Sequence, residues 1–252
     1  MCTRFLALLH GVLLLIGLVA PSWAQEDIEP RYLIECPTAG LLPRGSFDLD
    51  LRMFSEGGLL ACIRVGLMER MLIGFSFGGV GIIGDQKIHW NPRVEFIAKY
   101  RLLEEHRAFP ACTLGFDSQG HGRYDSVNER YARKSKGFYL VLSKNYRFLG
   151  RLGFHLGANC SLEKDGEGDF SGYVGLNKSI NEEMSMLGEY DLGLNERDLS
   201  SFRFKDGYLN AGIRWTLAHK FNIEVDFKDL IGDHRSSRYP IREFRIVYFE
   251  YF

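Results

Sequence analysis

Beyond residue 24 the sequence contains no long apolar run. No stretch there approaches the roughly 20 continuous apolar residues of a membrane-spanning helix, so no helical anchor is expected in the body of the chain. Proline is scarce, at 7 of 252 residues, which leaves long segments free to run as uninterrupted strands. Neither charge sign dominates. The 31 Lys and Arg face 32 Asp and Glu, and a net charge of −1 offers no basic footprint for nucleic acid. The 5 cysteines are widely and irregularly spaced, with no CxxC and no neighbouring His pair, which excludes the usual zinc arrangements. There is no Gly-rich phosphate loop and no nucleophile elbow. Accordingly no catalytic residue, metal ligand or cofactor is predicted.

What the chain does have is glycine (28 residues), aromatics (13%) and a distinctive start. Met1 to Arg4 is short and cationic, Phe5 to Val19 is apolar, and Pro21, Ser22, Trp23 and Ala24 supply a small-residue cleavage site. Residues 1–24 are therefore expected to be a secretory signal peptide. Cys2 belongs to that segment. An even set remains, Cys36, Cys62, Cys112 and Cys160, which permits disulfides in an exported chain. The last three fall within predicted strands, where a small apolar side chain is the plainer reading.

From residue 45 onward the pattern has period two. Phe47, Leu49, Leu51 and Met53 alternate with Asp48, Asp50 and Arg52. Leu209, Ala211, Ile213, Trp215 and Leu217 alternate with Tyr208, Asn210, Gly212, Arg214 and Thr216. Ile223, Val225 and Phe227 alternate with Asn222, Glu224, Asp226 and Lys228. Such alternation places each set on its own face of a sheet. Less regular strand signals cover 59–68, 71–83, 92–103, 109–117, 137–147, 151–161, 170–179, 184–194 and 241–252, about twelve strands in all. The connections sort by length. After a first hairpin whose turn at 55–58 is short on the side expected to be exterior, short turns at 68–70, 103–107, 148–150, 180–183 and 218–220 alternate with longer polar loops at 84–91, 118–136, 163–169, 195–206 and 232–240. That sorting is a property of outer-membrane barrels.

The expected fold is all-β: an antiparallel up-and-down transmembrane β-barrel over residues 45–252. Residues 25–44 form a lead on the periplasmic side, free to plug the lumen, cross its mouth or remain mobile. The apolar faces should meet lipid. The lumen should hold Asp48, Asp50, Arg52, Arg64, Glu95, Lys99, Arg101, His155, Glu189, Asp191, Arg214, Glu224, Asp226, Lys228, Glu243 and Arg245. Both signs occur there in quantity, which favours a paired network bracing the interior over a one-sign selectivity ring. The last strand should close the barrel through Phe244, Ile246, Tyr248 and Phe252 on its lipid face, with Glu250 breaking that face near the membrane edge. The expected setting is the outer membrane with both termini periplasmic, and the expected partners are outer-membrane lipid and the barrel-assembly machinery.

Ile34 to Asp48 contains Pro37, Thr38, Ala39, a short spacer and Gly45 immediately before the first strand. This stretch resembles the start of YjbH-type outer-membrane proteins, and the segments at 90–96 and 99–101 are similar in style to strands of that family. The resemblance implies a β-barrel linked with exopolysaccharide production, with polysaccharide or export machinery as further partners.

Three local features invite chemistry. His155 should point into the lumen near Asn159 or Ser161, whereas a barrel lipase needs its Ser–His pair on the outer surface. Glu189 and Asp191 share a face, as paired carboxylates of a glycosidase would, although a lumen wall accounts for both. The acidic Gly-rich run from Asp165 to Asp169 lacks the spacing and closing Glu of a calcium loop. The function read from the chain is thus a non-enzymatic barrel serving envelope structure, solute passage or exopolysaccharide export. A barrel enzyme acting on lipid or glycan and a soluble exported barrel binding a small ligand are the alternatives.

Overall fold

The computed structural model describes residues 29–163, 170–196, 207–231 and 240–252. The expected signal peptide at 1–24 and the acidic run at 165–169 lie outside these described residues. The strands are β1 Ser46–Phe54, β2 Gly58–Met68, β3 Met71–Val80, β4 His89–Trp90, β5 Glu95–Leu103, β6 Ala111–Asp117, β7 His121–Asp125, β8 Arg130–Arg133, β9 Gly137–Arg147, β10 Arg151–Cys160, β11 Phe170–Ser179, β12 Met184–Asp191, β13 Tyr208–Leu217, β14 Phe221–Lys228 and β15 Ile241–Tyr251. One sheet contains 13 of them. Of these, β4 is a two-residue appendage on β3. The remaining twelve pair antiparallel with their neighbours all the way round, because β15 pairs with β1 and β2 with β3. The result is a closed antiparallel barrel.

Closure removes the exposed edges that an open sheet of this width would present. The seam runs from Ser46 opposite Tyr251 to Met53 opposite Phe244. The Phe252 N–H extends it, donating to the Gly45 carbonyl at 2.8 Å. Outside the seam, the Phe47 ring lies 5.4 Å from Phe252 and 6.4 Å from Tyr248, which in turn lies 4.8 Å from Phe221. Glu250 pairs with Lys220 at 2.6 Å and accepts the Tyr248 hydroxyl at 2.8 Å.

The barrel is apolar outside and charged inside, the reverse of a soluble barrel. Leu49, Leu51, Ile63, Phe75, Ile213, Trp215 and Val225 are all exposed on the outer wall, while Asp48, Asp50, Arg64, Glu224 and Asp226 are buried on the inner one. A second aromatic row, Phe75, Phe96, Phe116 and Phe138, crosses β3, β5, β6 and β9 toward the long-loop end. The stacked pair Phe77 and Trp90 lies close by, with centroids 5.6 Å apart.

Two loops hold more structure than their polarity indicated. The 84–91 loop contains β4. The 118–136 loop contains the β7–β8 hairpin, which forms a separate two-stranded sheet. Its turn is built on Asp125, whose carboxylate accepts the Val127 N–H at 2.8 Å and the Asn128 side chain at 2.7 Å. Those bonds hold the Asp125 carboxyl below the usual value.

Candidate functional site

The lumen is filled by chain that precedes the first strand. Residues 29–44 enter from the short-turn end, run up the interior, turn over at Leu33 to Cys36 and return to β1. The hairpin is tied by Leu33 N–H to the Cys36 carbonyl (3.0 Å) and by Thr38 N–H to the Arg31 carbonyl (3.1 Å). Leu33, Ile34 and Cys36 have no exposed surface. Small wall residues make room for it. A side chain at Gly66 would meet the Pro43 carbonyl at 2.1 Å, and one at Gly175 would meet Leu33 at 2.2 Å.

The wall satisfies the hairpin's backbone almost group by group, as burial demands. Lys99 donates to the carbonyls of Arg31 (2.5 Å) and Thr38 (3.3 Å), and Arg101 and Thr113 donate to that of Ala39. Arg52 donates to the Ile34 carbonyl at 2.6 Å, and the Tyr173 hydroxyl to that of Pro37 at 3.0 Å. Arg214 reaches the carbonyls of Tyr32 and Leu33. At the tip, the N–H groups of Ile34, Glu35 and Cys36 all donate to the Glu189 carboxylate, at 2.9 to 3.1 Å. Charge-assisted bonds of this kind are the stronger class.

Charge pairing continues the grip. Arg31 meets Asp48 at 2.6 Å. From there a buried belt runs round the wall: Arg64 to Asp48 and Asp50, Arg245 to Asp50 and Glu224, and Arg214 to Glu224. At the tip the Glu35 carboxylate is met by Arg133 of β8 and Lys228 of β14, with His121 of β7 at 3.7 Å. Lys228 also pairs with Glu243 at 2.6 Å, and Arg52 with Glu243 at 3.7 Å.

The β7–β8 hairpin and its flanks cover the other end. The Tyr131 ring is fully buried, its hydroxyl bonded to Glu95 at 3.1 Å and its N–H to Glu163 at 2.8 Å. Gln119 accepts the Ser76 hydroxyl, and Lys136 pairs with Asp191. The Arg133 guanidinium stacks over the Tyr208 ring at 3.8 Å. Below the plug, a cavity of about 690 Å³ opens among the short turns, floored by Arg31, Tyr32, Arg64, Arg214, Glu224 and Arg245.

All the residues assigned to the lumen from alternation, Asp48 through Arg245, are buried in the interior. Asp226 is the exception to the pairing: its oxygens find no hydrogen-bond partner among the described residues. His155 is buried, but its neighbours are Ser143 (2.7 Å) and Asn177 (2.8 Å), not Ser161 or Asn159. The Ser143 hydroxyl also accepts the Ala39 N–H at 2.9 Å, so this row seats the plug and its oxygen is covered. Glu189 and Asp191 serve different neighbours, the hairpin tip and Lys136. Cys36, Cys62, Cys112 and Cys160 carry free thiols. Groups not picked out from the sequence, Arg31, Tyr32, Glu35, His121, Arg133 and Lys136, make much of the site. One signal was present: Glu35 stands alone among Leu33, Ile34 and Cys36, and a lone charge in an apolar turn needs a buried partner.

No family model and no curated relative matches the sequence. Solved structures match by shape. One described as "KdgM porin" aligns with a TM-score of 0.50 at 11% identity, over 82% of this chain and 99% of that one. Another, "KdgM porin in complex with disordered oligogalacturonate", gives 0.53 at 12% identity over 81% and 98%. The likeness is one of fold, and this chain shares the closed antiparallel barrel of these porins.

Proposed function

We propose that this protein is an outer-membrane barrel that passes a solute, and that residues 29–44 are a withdrawable plug closing it from the periplasmic side. The wall supports the membrane setting. Most barrel strands have the roughly 9–11 residues that a tilted span needs, and aromatic rows lie toward both ends of the apolar face. In that setting the short turns and both described termini are periplasmic, and lipid and the barrel-assembly machinery are the partners.

The single observation that carries passage is the way the lumen is filled. The interior is not closed by wall side chains packing on one another. It is occupied by two inserted segments, the β7–β8 hairpin from one end and residues 29–44 from the other. The latter are held by hydrogen bonds and ion pairs that water can replace together with apolar contacts. The cargo is a saccharide on this reading. The KdgM porin was captured with oligogalacturonate, and the resemblance of Pro37, Thr38, Ala39 and Gly45 to YjbH-type proteins extends the reading to exopolysaccharide. In this chain Pro37, Thr38 and Ala39 lie on the return limb of the plug and Gly45 joins it to β1.

Planar-bilayer conductance tests it. The full chain should be nearly silent, and a variant lacking both residues 29–44 and the β7–β8 hairpin that covers the other end should conduct steadily. A deletion variant that retains heat-modifiable migration, and so its barrel, yet carries no current would overturn the passage reading.

A further inference from the structure

Ser143, His155 and Asn177 come from three neighbouring strands, β9, β10 and β11, and meet in one hydrogen-bonded row on the lumen face. The Asn177 Oδ1 can only accept, so the His155 Nε2 at 2.8 Å carries the ring proton and leaves Nδ1 bare. That bare nitrogen lies 2.7 Å from the Ser143 hydroxyl and accepts its proton. A serine bonded to a histidine that a third group orients is the arrangement of an activated nucleophile. The wall makes room for the third member, since a side chain at Gly153 would meet Asn177 Oδ1 at 2.3 Å. Seating the plug does not call for the whole row, because the Ala39 N–H needs one acceptor and a serine alone supplies it.

What Ala39 does there completes the site. Its N–H donates to Ser143 Oγ at 2.9 Å. Its carbonyl oxygen accepts from Arg101 Nη2 at 2.8 Å and from Thr113 Oγ1 at 2.9 Å. One residue thus spans a nucleophile and a pair of donors aimed at a carbonyl oxygen, and donors so placed stabilise the oxyanion of acyl transfer. Arg101 Nη1 is also held by Glu104 at 2.9 Å, a bond that does not involve the plug. The Ala39 methyl packs with Ala111, Tyr139, Val141 and Tyr173, so an acyl group in its place has room for little more than a methyl. Asn177 also lines the cavity among the short turns, which puts the row beside space open to the periplasm.

We propose that Ser143, His155 and Asn177 form an esterase centre for short acyl esters, acetyl esters above all, and that Ala39 of the plug blocks it. Ser143 Oγ adds to the acyl carbon while its proton passes to His155 Nδ1. The oxyanion lies between Arg101 and Thr113. As it collapses, the leaving alcohol takes the proton from His155, and acetyl-Ser143 remains. Water, giving a proton to the same Nδ1, then releases acetate and restores the serine. The activity goes beyond passage and shares with it only the release of the plug.

A fluorophosphonate, which modifies activated serines, tests this on the reconstituted full chain, unaltered and as Leu42→Ala, with the labelled residue located by mass spectrometry. Loosening the plug at its root should raise labelling of Ser143 roughly tenfold over the unaltered chain. Hydrolysis of p-nitrophenyl acetate should rise with it, and the octanoate ester should react more slowly. In the Leu42→Ala background, His155→Ala should lose the label, while for the positioning residue Asn177→Leu should lose it and Asn177→Asp keep it. No label at Ser143 in either chain overturns the inference, as does a label that persists in the His155→Ala form or faster turnover of the octanoate. If the His155 and Asn177 variants do not form barrels, the labelled position in Leu42→Ala and the acetate-to-octanoate ratio decide. Failure here is separable from failure of passage: a conducting deletion variant with no label at Ser143 leaves the channel standing and removes only the esterase.

Discussion

The root and the tip of the plug share apolar packing and differ in what is added to it. At the root, Leu41 and Leu42 pack into a wall patch of Cys62, Leu72, Ile97 and Phe249. That contact is apolar and non-directional, and opening it exposes hydrocarbon to water. At the tip, Leu33 and Ile34 cluster with Leu187, and Cys36 with Tyr139, Val141 and Tyr173. In addition, three N–H groups and one carboxylate are held there by Glu189, Arg133 and Lys228. Those bonds are directional and exchangeable, since water or a solute can take over each one. On the plug reading proposed above, the hairpin stays anchored at its root while its tip is released. The contrast teaches where a gate can open: at the end whose partners can be substituted.

Breaking the root should have the largest effect. Leu42→Ala removes a side chain that is 1% exposed, and core truncations of this kind cost about 2–5 kcal/mol. The expected outcome is labelling of Cys36 together with a lower temperature for the heat-modifiable shift; an unchanged shift would erase the distinction between root and tip. Glu189→Ala should come next, since it strips a charged acceptor from the tip, and hydrogen bonds to charged groups contribute about 1.5–3 kcal/mol each. Here Cys36 should become reactive while the barrel's thermal shift stays close to that of the unaltered chain. Tyr32→Phe should do least. It removes one hydroxyl bond to a carboxylate, Asp117 at 2.7 Å, worth about 1.5–3 kcal/mol against three such bonds at Glu189, and a smaller rise in Cys36 labelling is expected. An order with Tyr32→Phe above Glu189→Ala would place the latch on the wrong residue.

Much of the wall was legible because each strand writes its own burial in alternate residues. Asp48, Asp50 and Arg52 point inward for the same reason that Leu49 and Leu51 point outward, and no distant contact is needed to see it. The last strand was harder. Val247 and Phe249 share the inward parity of Arg245, yet they are apolar and buried. Phe249 meets the plug's root where other inward positions meet charge, a partner that alternation cannot name. The site itself was mostly hidden. Ile34 and Glu189 lie 155 residues apart, and nothing local to either announces the other. The 118–136 loop looked like an ordinary polar connection, and its inward fold depends on Glu95, Glu163 and Asp191 being there to receive it.

By itself the sequence determined the closed, inverted barrel, because period-two patterning and the sorting of short turns from long loops act within each hairpin. Only the tertiary structure decided that residues 29–44 fill that barrel and that Glu35 sits among Arg133, Lys228 and His121. The physical reason is that a strand's face is a local property, whereas a buried charge is settled by whichever opposite charge the closed wall brings to it.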